Sequence, residues 1–269
     1  TEEPALVYKL RDVEVVVPES YARELDRVYQ LRITRDKGMK PGATPAEVLA
    51  AGQAALGLKG EPLHFSAHPA DLVALGQLPD RGLVKRIEIH PTANAEDHWH
   101  SATYKPNFVS AATASSDGTL AYYKPRLTSN LSQITHHEWG HFLKSKAPKE
   151  SSMFDFAAAL EQKAHGDRSK PGYSTSEYAN RNIDENWAEH SADITQAEPA
   201  GYFQMAQDAP LRTAVLGRAM DRSLKSVSAQ NRSDHHDLLV DRVVQIKQHV
   251  EPKALELMEH YLKKGNDQE

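Results

Sequence analysis

The sequence predicts an α+β fold, with a small mixed sheet and a hairpin in the N-terminal half and a mostly helical C-terminal part. Three observations carry this. Short alternating apolar runs are confined to residues 6–124. From about residue 130 the apolar positions recur at helical spacing almost to the end. Strands and helices do not alternate regularly along the chain, as a doubly wound α/β fold requires.

Taken in order, residues 6–17 (LVYKLRDVEVVV) read as a strand or a strand pair. Pro18 and Glu19 open a helix with Leu25, Val28, Tyr29 and Leu31 on one side. Residues 36–42 are rich in breakers and form a loop. Thr44, Pro45 and Glu47 fit a helix start, with Thr as cap and Pro at the first helical position; that helix runs to about Gly57. A short helix follows at 69–76. The texture changes near residue 83. Leu83 to His90 alternates as a strand, and 108–115 and 119–124 flank Asp117-Gly118, a strong hairpin signal. Helices are predicted at 130–146, 151–165, 174–194, 198–207, 211–227 and 234–263, the last closed by Lys263, Lys264 and Gly265. The expected division is an N-terminal α/β lobe over 1–82, of unassigned role, and a part bearing the chemistry over 83–269, whether as two lobes or one compact unit.

Composition excludes several classes. Hydrophobic residues make up 39% and charged residues 26%, which is globular and not disordered. A net charge of -5 argues against a nucleic-acid binder, and the basic residues of 211–253 form no stripe. No apolar run approaches the roughly 20 residues that span a bilayer. With no cysteine, thiolate nucleophiles and cysteine-held metals are excluded, so any metal must be held by His, Asp or Glu. The chain starts at Thr1 with no signal-like stretch; a removed leader is one expectation, and the lack of cysteine favours a secreted or extracytoplasmic setting. A monomer is expected.

The chemistry centres on His137-Glu138-Trp139-Gly140-His141, an H-E-x-x-H pattern within a helical stretch. Residues four apart share a helix face, so His137 and His141 can point at one metal ion. Glu138 lies about 100° further round, out of reach of the ion but within reach of a water on it, where a general base is needed. Leu131, Ile134 and Phe142 supply an apolar side. Gly140 costs roughly 1 kcal/mol of helix propensity against Ala, and suggests a close approach by another backbone or a substrate.

A third protein ligand is required. A following glycine and histidine on the same run would supply one, but Lys144 and Ala147 occupy those positions. A carboxylate from a later helix remains. Glu185 and Glu189 are four apart in Asp184-Glu185-Asn186-Trp187-Ala188-Glu189-His190 and share a face. Alone, that stretch reads as a solvated acidic surface. Beside an incomplete H-E-x-x-H it completes a His2Glu set, with Glu189, one turn on, placed to orient a ligand imidazole.

The combination of His137-Glu138-x-x-His141, Tyr178 and Glu185-Asn186-Trp187-Ala188-Glu189 resembles the gluzincin catalytic domain of anthrax-lethal-factor-like peptidases, and beyond it the secreted proline-specific endopeptidases of clostridia. In that family a Tyr precedes the metal-binding Glu by two helical turns, the interval from Tyr178 to Glu185. Trp187 falls in an aromatic slot ahead of Ala-Glu. The resemblance covers about 60 residues, 132–191, and departs from the family in a longer connection from His141 to Glu185, with helix 151–165 and polar loop 166–173. It implies a zincin-like fold, Zn2+ as cofactor, Glu185 as third ligand and zinc endopeptidase activity on a protein or peptide. It implies that Tyr178 donates a hydrogen bond to the developing oxyanion or the leaving group, with Glu138 as the base. It also favours narrow specificity.

The strand at 119–124 lies just upstream of the active helix and is an expected cleft rim, where an extended substrate pairs by strand addition and Tyr122-Tyr123 offer aromatic contacts. Other histidines read as structural: His136 points away from His137, His190 is an ordinary helical residue, and His235-His236-Asp237 is a helix entrance capped by Ser233 or Asp234. His98 and His100, two apart on a strand with His90 nearby, share a face but lack a third partner. Two other functions remain open: an inactive peptidase-like module that binds metal or peptide, and a helical protein in which the motif is accidental.

Overall fold

The computed structural model describes residues 3–266 except 41, 57–63, 71, 104–108, 125–129, 167–172 and 175. The chain is α+β, and its contacts divide it into two units, Thr1–Gly76 with Val84–Thr135, and Gln77–Leu83 with His136–Glu269.

The first unit holds a five-stranded mixed sheet. Strands β1 (Ala5–Leu10) and β2 (Val13–Pro18) form an antiparallel hairpin. Its turn, Arg11-Asp12, takes positive φ at both residues (46° and 66°), as a two-residue turn matched to strand twist requires. Helix α1 (Glu19–Asp36), α2 (Pro45–Leu56) and the short α3 (Leu72–Gln77) follow. Strand β3 (Arg86–His90) then pairs parallel with β2, a crossover that needs the intervening helices. After α4 (Asp97–Thr103), β4 (Ala112–Ala114) and β5 (Thr119–Tyr123) form the hairpin at Asp117-Gly118, where Gly118 has φ 87° and Asp117 Oδ1 accepts the Thr119 N–H. The strand order is β1-β2-β3-β5-β4. Alternate residues Val13, Val15, Val17, Ile87, Ile89, Leu120 and Tyr122 are buried, with Ala22, Leu25 and Tyr29 of α1. Leu31, expected on that apolar side, is exposed.

Two expectations fall here. Strand β5 is paired on both edges, by β3 and by β4, so its backbone groups are taken and an added substrate strand has nowhere to bond. Tyr122 is fully buried with its hydroxyl 2.5 Å from Thr135 Oγ1, so the pair does not face a substrate together; Tyr123 is half-buried and stacks on His90 with ring centres 5.2 Å apart. Phe108, at the start of the predicted strand, lies outside the described residues, as does most of the 166–173 loop.

The second unit is helical. It contains most of α5 (Leu131–Lys146), then α6 (Pro148–His165), α7 (Ile183–Thr195), α8 (Ala200–Asp208), α9 (Pro210–Ser226), α10 (His236–Gln245) and α11 (Glu251–Asn266). The final predicted helix is two α-helices joined by a π-helical turn, Ile246–Val250, and it runs past Gly265. Trp139, Phe154, Trp187, Met205, Leu216 and Met220 are buried in its core. Among the described residues no helix is long and apolar enough to cross a membrane.

Arg212 is fully buried in this unit. Its Nε donates to Glu161 Oε1 (2.8 Å), its Nη1 to Asn186 Oδ1 (3.1 Å) and its Nη2 to the Tyr173 carbonyl, and its guanidinium lies 4.1 Å from the Tyr173 ring centre. Glu161 also accepts the backbone N–H groups of Leu211 and Arg212, orphan donors in the first turn of α9. The group thus ties α6, α7 and α9 together. Replacement Arg212→Met should leave the Glu161 carboxylate buried without its cation and cost about 3–5 kcal/mol. Urea unfolding checks this, and a loss under about 1 kcal/mol would mean that Glu161 takes up a proton or water at little cost.

Candidate metal centre

Helices α5 and α7 run antiparallel, and a polar contact joins them at nearly every turn. His136 Nδ1 lies 2.7 Å from Thr195 Oγ1, and His137 Nδ1 lies 2.6 Å from Glu189 Oε1. Trp187 Nε1 donates to the Gly140 carbonyl at 2.8 Å, and Lys144 pairs with Asp184. Gly140 is what allows this approach. A Cβ there would stand 3.0 Å from Ala188 Cα, 3.0 Å from Ser191 Cβ and 3.2 Å from the Ala188 carbonyl. The glycine admits the backbone of α7, one of the two uses expected of it.

Within this clasp His137, His141 and Glu185 converge. One ligand atom from each lies within 4.8 Å of the others. Glu185 Oε2 is 2.8 Å from His137 Nε2 and 3.7 Å from His141 Nε2. The imidazoles sit edge to face with centres 5.1 Å apart. Donor atoms around a tetrahedral ion with bonds near 2.0–2.1 Å are about 3.3 Å apart, and the observed spacings straddle that value.

The donor chemistry fits a cation. His137 Nδ1 is engaged with Glu189, so in the neutral ring the proton sits there and Nε2 presents a lone pair to Glu185 Oε2. Glu185 Oε2 is buried and has no aligned hydrogen-bond donor, although Nε2 is close. Two lone pairs facing each other at that distance need a proton or a metal ion between them. In the metal-free chain a proton serves. Burial works against charge on His137, but Glu185 and Glu189 outweigh it and hold its pKa up at about 10. Burial alone would raise the Glu185 carboxyl, and the two imidazoles instead hold it far below the carboxylate range. A group of this kind can hold a metal ion.

Glu138 is buried beside the group. Its carboxyl is pushed up by burial, while His137 and His141 pull it down. Tyr178 lies across His137 with ring centres 5.7 Å apart and is 38% exposed. Burial of the hydroxyl, then the charge on Glu185, drive its pKa upward, so the phenol keeps its proton. Arg181 Nη1 donates to the Tyr178 hydroxyl at 3.3 Å.

The structure brings together every residue singled out in sequence for this site, Glu189 included, but corrects the backbone beneath Tyr178. That residue is on a separate 3₁₀ turn, Tyr178–Asn180, and not on a continuous helix 174–194. Helix α7 begins afresh at Ile183, with Asn182 in extended conformation and its side chain accepting the Glu185 N–H at 2.9 Å. The Asn182-x-x-Glu185 spacing is a capping pattern that signals this start. Ser176, whose hydroxyl donates to Glu189 Oε2 at 2.9 Å, carried no such signal. His136 and His190 are fully buried and held well below the usual histidine range, at about 3, by burial first. The segment of His98 and His100 is helical, so residues two apart there do not share a face. Ser233 Oγ accepts the His235 N–H, ahead of a helix that begins at His236. Compared with known proteins, the chain matches no family model and no curated relative.

Two outcomes follow from this geometry. Gly140→Ala gains roughly 1 kcal/mol of helix propensity, but α7 is held on both sides of the contact and cannot retreat. The net effect should be a loss of about 1–3 kcal/mol and weaker metal binding, read by denaturation and chelator competition; a stabilised variant would show that the helices have room. The second concerns pH. The proton on His137 stabilises the metal-free fold fully below its ordinary 6.5, and this is lost as pH climbs through about 10. Metal must displace that proton, so affinity should rise about tenfold per pH unit across neutrality. Calorimetric titration at several pH values checks it, and a flat profile would place the proton elsewhere.

Proposed function

We propose that this chain is a zinc-dependent endopeptidase of the gluzincin type, acting on a protein or peptide substrate. The observation that carries the reading is the convergence of His137, His141 and Glu185 beside a buried Glu138. The support is chemical: two imidazoles and one carboxylate are a common protein set for catalytic zinc, leaving a fourth position open. The sequence resemblance to anthrax-lethal-factor-like peptidases points the same way.

On this reading His137, His141 and Glu185 would hold the ion, and Glu189 keeps the His137 ring in the tautomer that presents Nε2. Zinc, when bound, lowers the pKa of water toward 7 and polarises the scissile carbonyl. Glu138 accepts the proton of the attacking water as the new C–O bond forms. It then delivers that proton to the amine as the C–N bond breaks. Its burial keeps solvent from competing for the proton. Tyr178, protonated at neutral pH, donates its hydroxyl hydrogen to the developing oxyanion, and its partial exposure leaves it accessible to a substrate. Arg181 donates to the Tyr178 oxygen, so that contact does not consume the hydroxyl hydrogen, which is shared with Glu185 in the metal-free chain.

The test is cleavage of a peptide library by zinc-loaded protein. Glu138→Gln should retain one zinc per chain and lose about 10²–10⁴ of turnover. Tyr178→Phe should lose about 10²–10³ in turnover. Equal cleavage by wild type and Glu138→Gln would remove Glu138 from the mechanism. Zinc bound tightly with no cleavage by either would instead favour an inactive metal-binding module.

A further inference from the structure

Ser176 stands between the ligand set and the turn that bears Tyr178. Its hydroxyl donates to Glu189 Oε2 (2.9 Å) and accepts the Ala179 N–H (3.1 Å). The other carboxylate oxygen of Glu189, Oε1, is 2.6 Å from His137 Nδ1. An unbroken line of three hydrogen bonds thus runs from a ligand imidazole, through Glu189 and Ser176, to the backbone next to Tyr178.

The turn needs such an anchor. Tyr178–Asn180 is a single 3₁₀ turn with no side-chain cap of its own. One isolated turn is marginal, because its few backbone bonds do not offset the ordering of the chain. Tyr178 is 38% exposed, so burial of its ring contributes only part of the holding. Beyond its local turn bonds, the segment is held by the burial of Ala179, by the Tyr178 ring against His137 and its hydroxyl toward Glu185, by Ser176 below, and by Asn186 Nδ2, which donates to the Ala179 carbonyl at 3.1 Å. Asn186 fixes the turn to the body of α7. Ser176 is the link that fixes it to Glu189, and through Glu189 to His137.

We propose that Ser176 is a positioning residue, which registers the Tyr178 hydroxyl against the metal ligands by tying its turn to Glu189. This rests on the reading of the triad as a metal site and of Tyr178 as an oxyanion donor. The two hydroxyl contacts divide the work: the bond to Glu189 sets the position of Ser176, and the bond from Ala179 sets the turn upon it. Removing the hydroxyl releases the turn while leaving the His137–Glu189 bond in place. Zinc binding is therefore spared and oxyanion stabilisation is not.

The experiment compares wild type, Ser176→Ala, Ser176→Thr, Tyr178→Phe and the double variant Ser176→Ala/Tyr178→Phe. Each is loaded with zinc. Ser176→Ala should bind zinc with affinity within a few-fold of wild type, speed amide exchange at Ala179 and lower kcat by about tenfold, the size of one hydrogen bond, with KM little changed. Ser176→Thr keeps a hydroxyl and should restore most of both losses. In the Tyr178→Phe background, Ser176→Ala should cost almost nothing further. The proposal is overturned by an equal loss in that background, by a parallel fall in zinc affinity, or by unchanged exchange at Ala179. Should wild type cleave nothing, the peptidase reading fails by itself; the exchange and zinc measurements still decide whether Ser176 holds the turn independently of the metal.

Discussion

The site depends on the contact between α5 and α7, where two antiparallel helices meet closely enough for one to complete what the other begins. His137 and His141 come from α5, and Glu185 and Glu189 come from α7. Carboxylates on a separate helix converge with imidazoles only if both the separation and the register of the pair are fixed. Gly140 sets the separation by removing the one side chain that would hold the backbones apart. The polar pairs set the register: His136 with Thr195, His137 with Glu189, the Gly140 carbonyl with Trp187, and Lys144 with Asp184. A slip of one residue would rotate Glu185 by about 100° away from the imidazoles.

Helix α7 is itself held at both ends. At its start Asn182 caps the Glu185 N–H, and Arg212 reaches Asn186 from the buried Glu161 pair. At its end Arg242 donates to the carbonyls of Ile194, Gln196 and Ala197, where the helix leaves acceptors without internal partners. A cation there also suits the helix dipole. The helix that bears Glu185 is thus fixed by two arginines, one from α9 and one from α10. Later helices supply two of the cations that hold α7, beside Lys144 of α5 at Asp184.

The part of this arrangement written in local spacing was legible in the sequence. H-E-x-x-H needs only the 3.6-residue turn to place two imidazoles together, and Glu185 with Glu189 needs only the same rule. The hairpin at Asp117-Gly118 and the pairing of β1 with β2 are equally local. What was not legible depends on long-range contact. The interior position of β5 follows from a parallel crossover to β3, and no local pattern distinguishes an interior strand from an edge strand of similar composition. Ser176 is an unremarkable polar residue until the fold brings Glu189 against it. The break before α7 is the exception, since Asn182 three residues ahead of Glu185 is a local cap signal.

Charge balance makes the strongest physical case for a divalent ion over a retained proton. Glu138, Glu185 and Glu189 face His137 and His141 in a largely buried group. Burying uncompensated charge is costly, so the metal-free group must draw in protons, as the raised His137 and Glu138 pKa values reflect. In that state Glu138 tends toward its neutral form and His137 is an imidazolium, so neither suits the role proposed for it. A dication beside two neutral imidazoles offsets two carboxylates outright and lowers the pKa of the third. The carboxylate that burial drives toward a proton then becomes one that can give it up, which is the condition a general base working near neutral pH must meet.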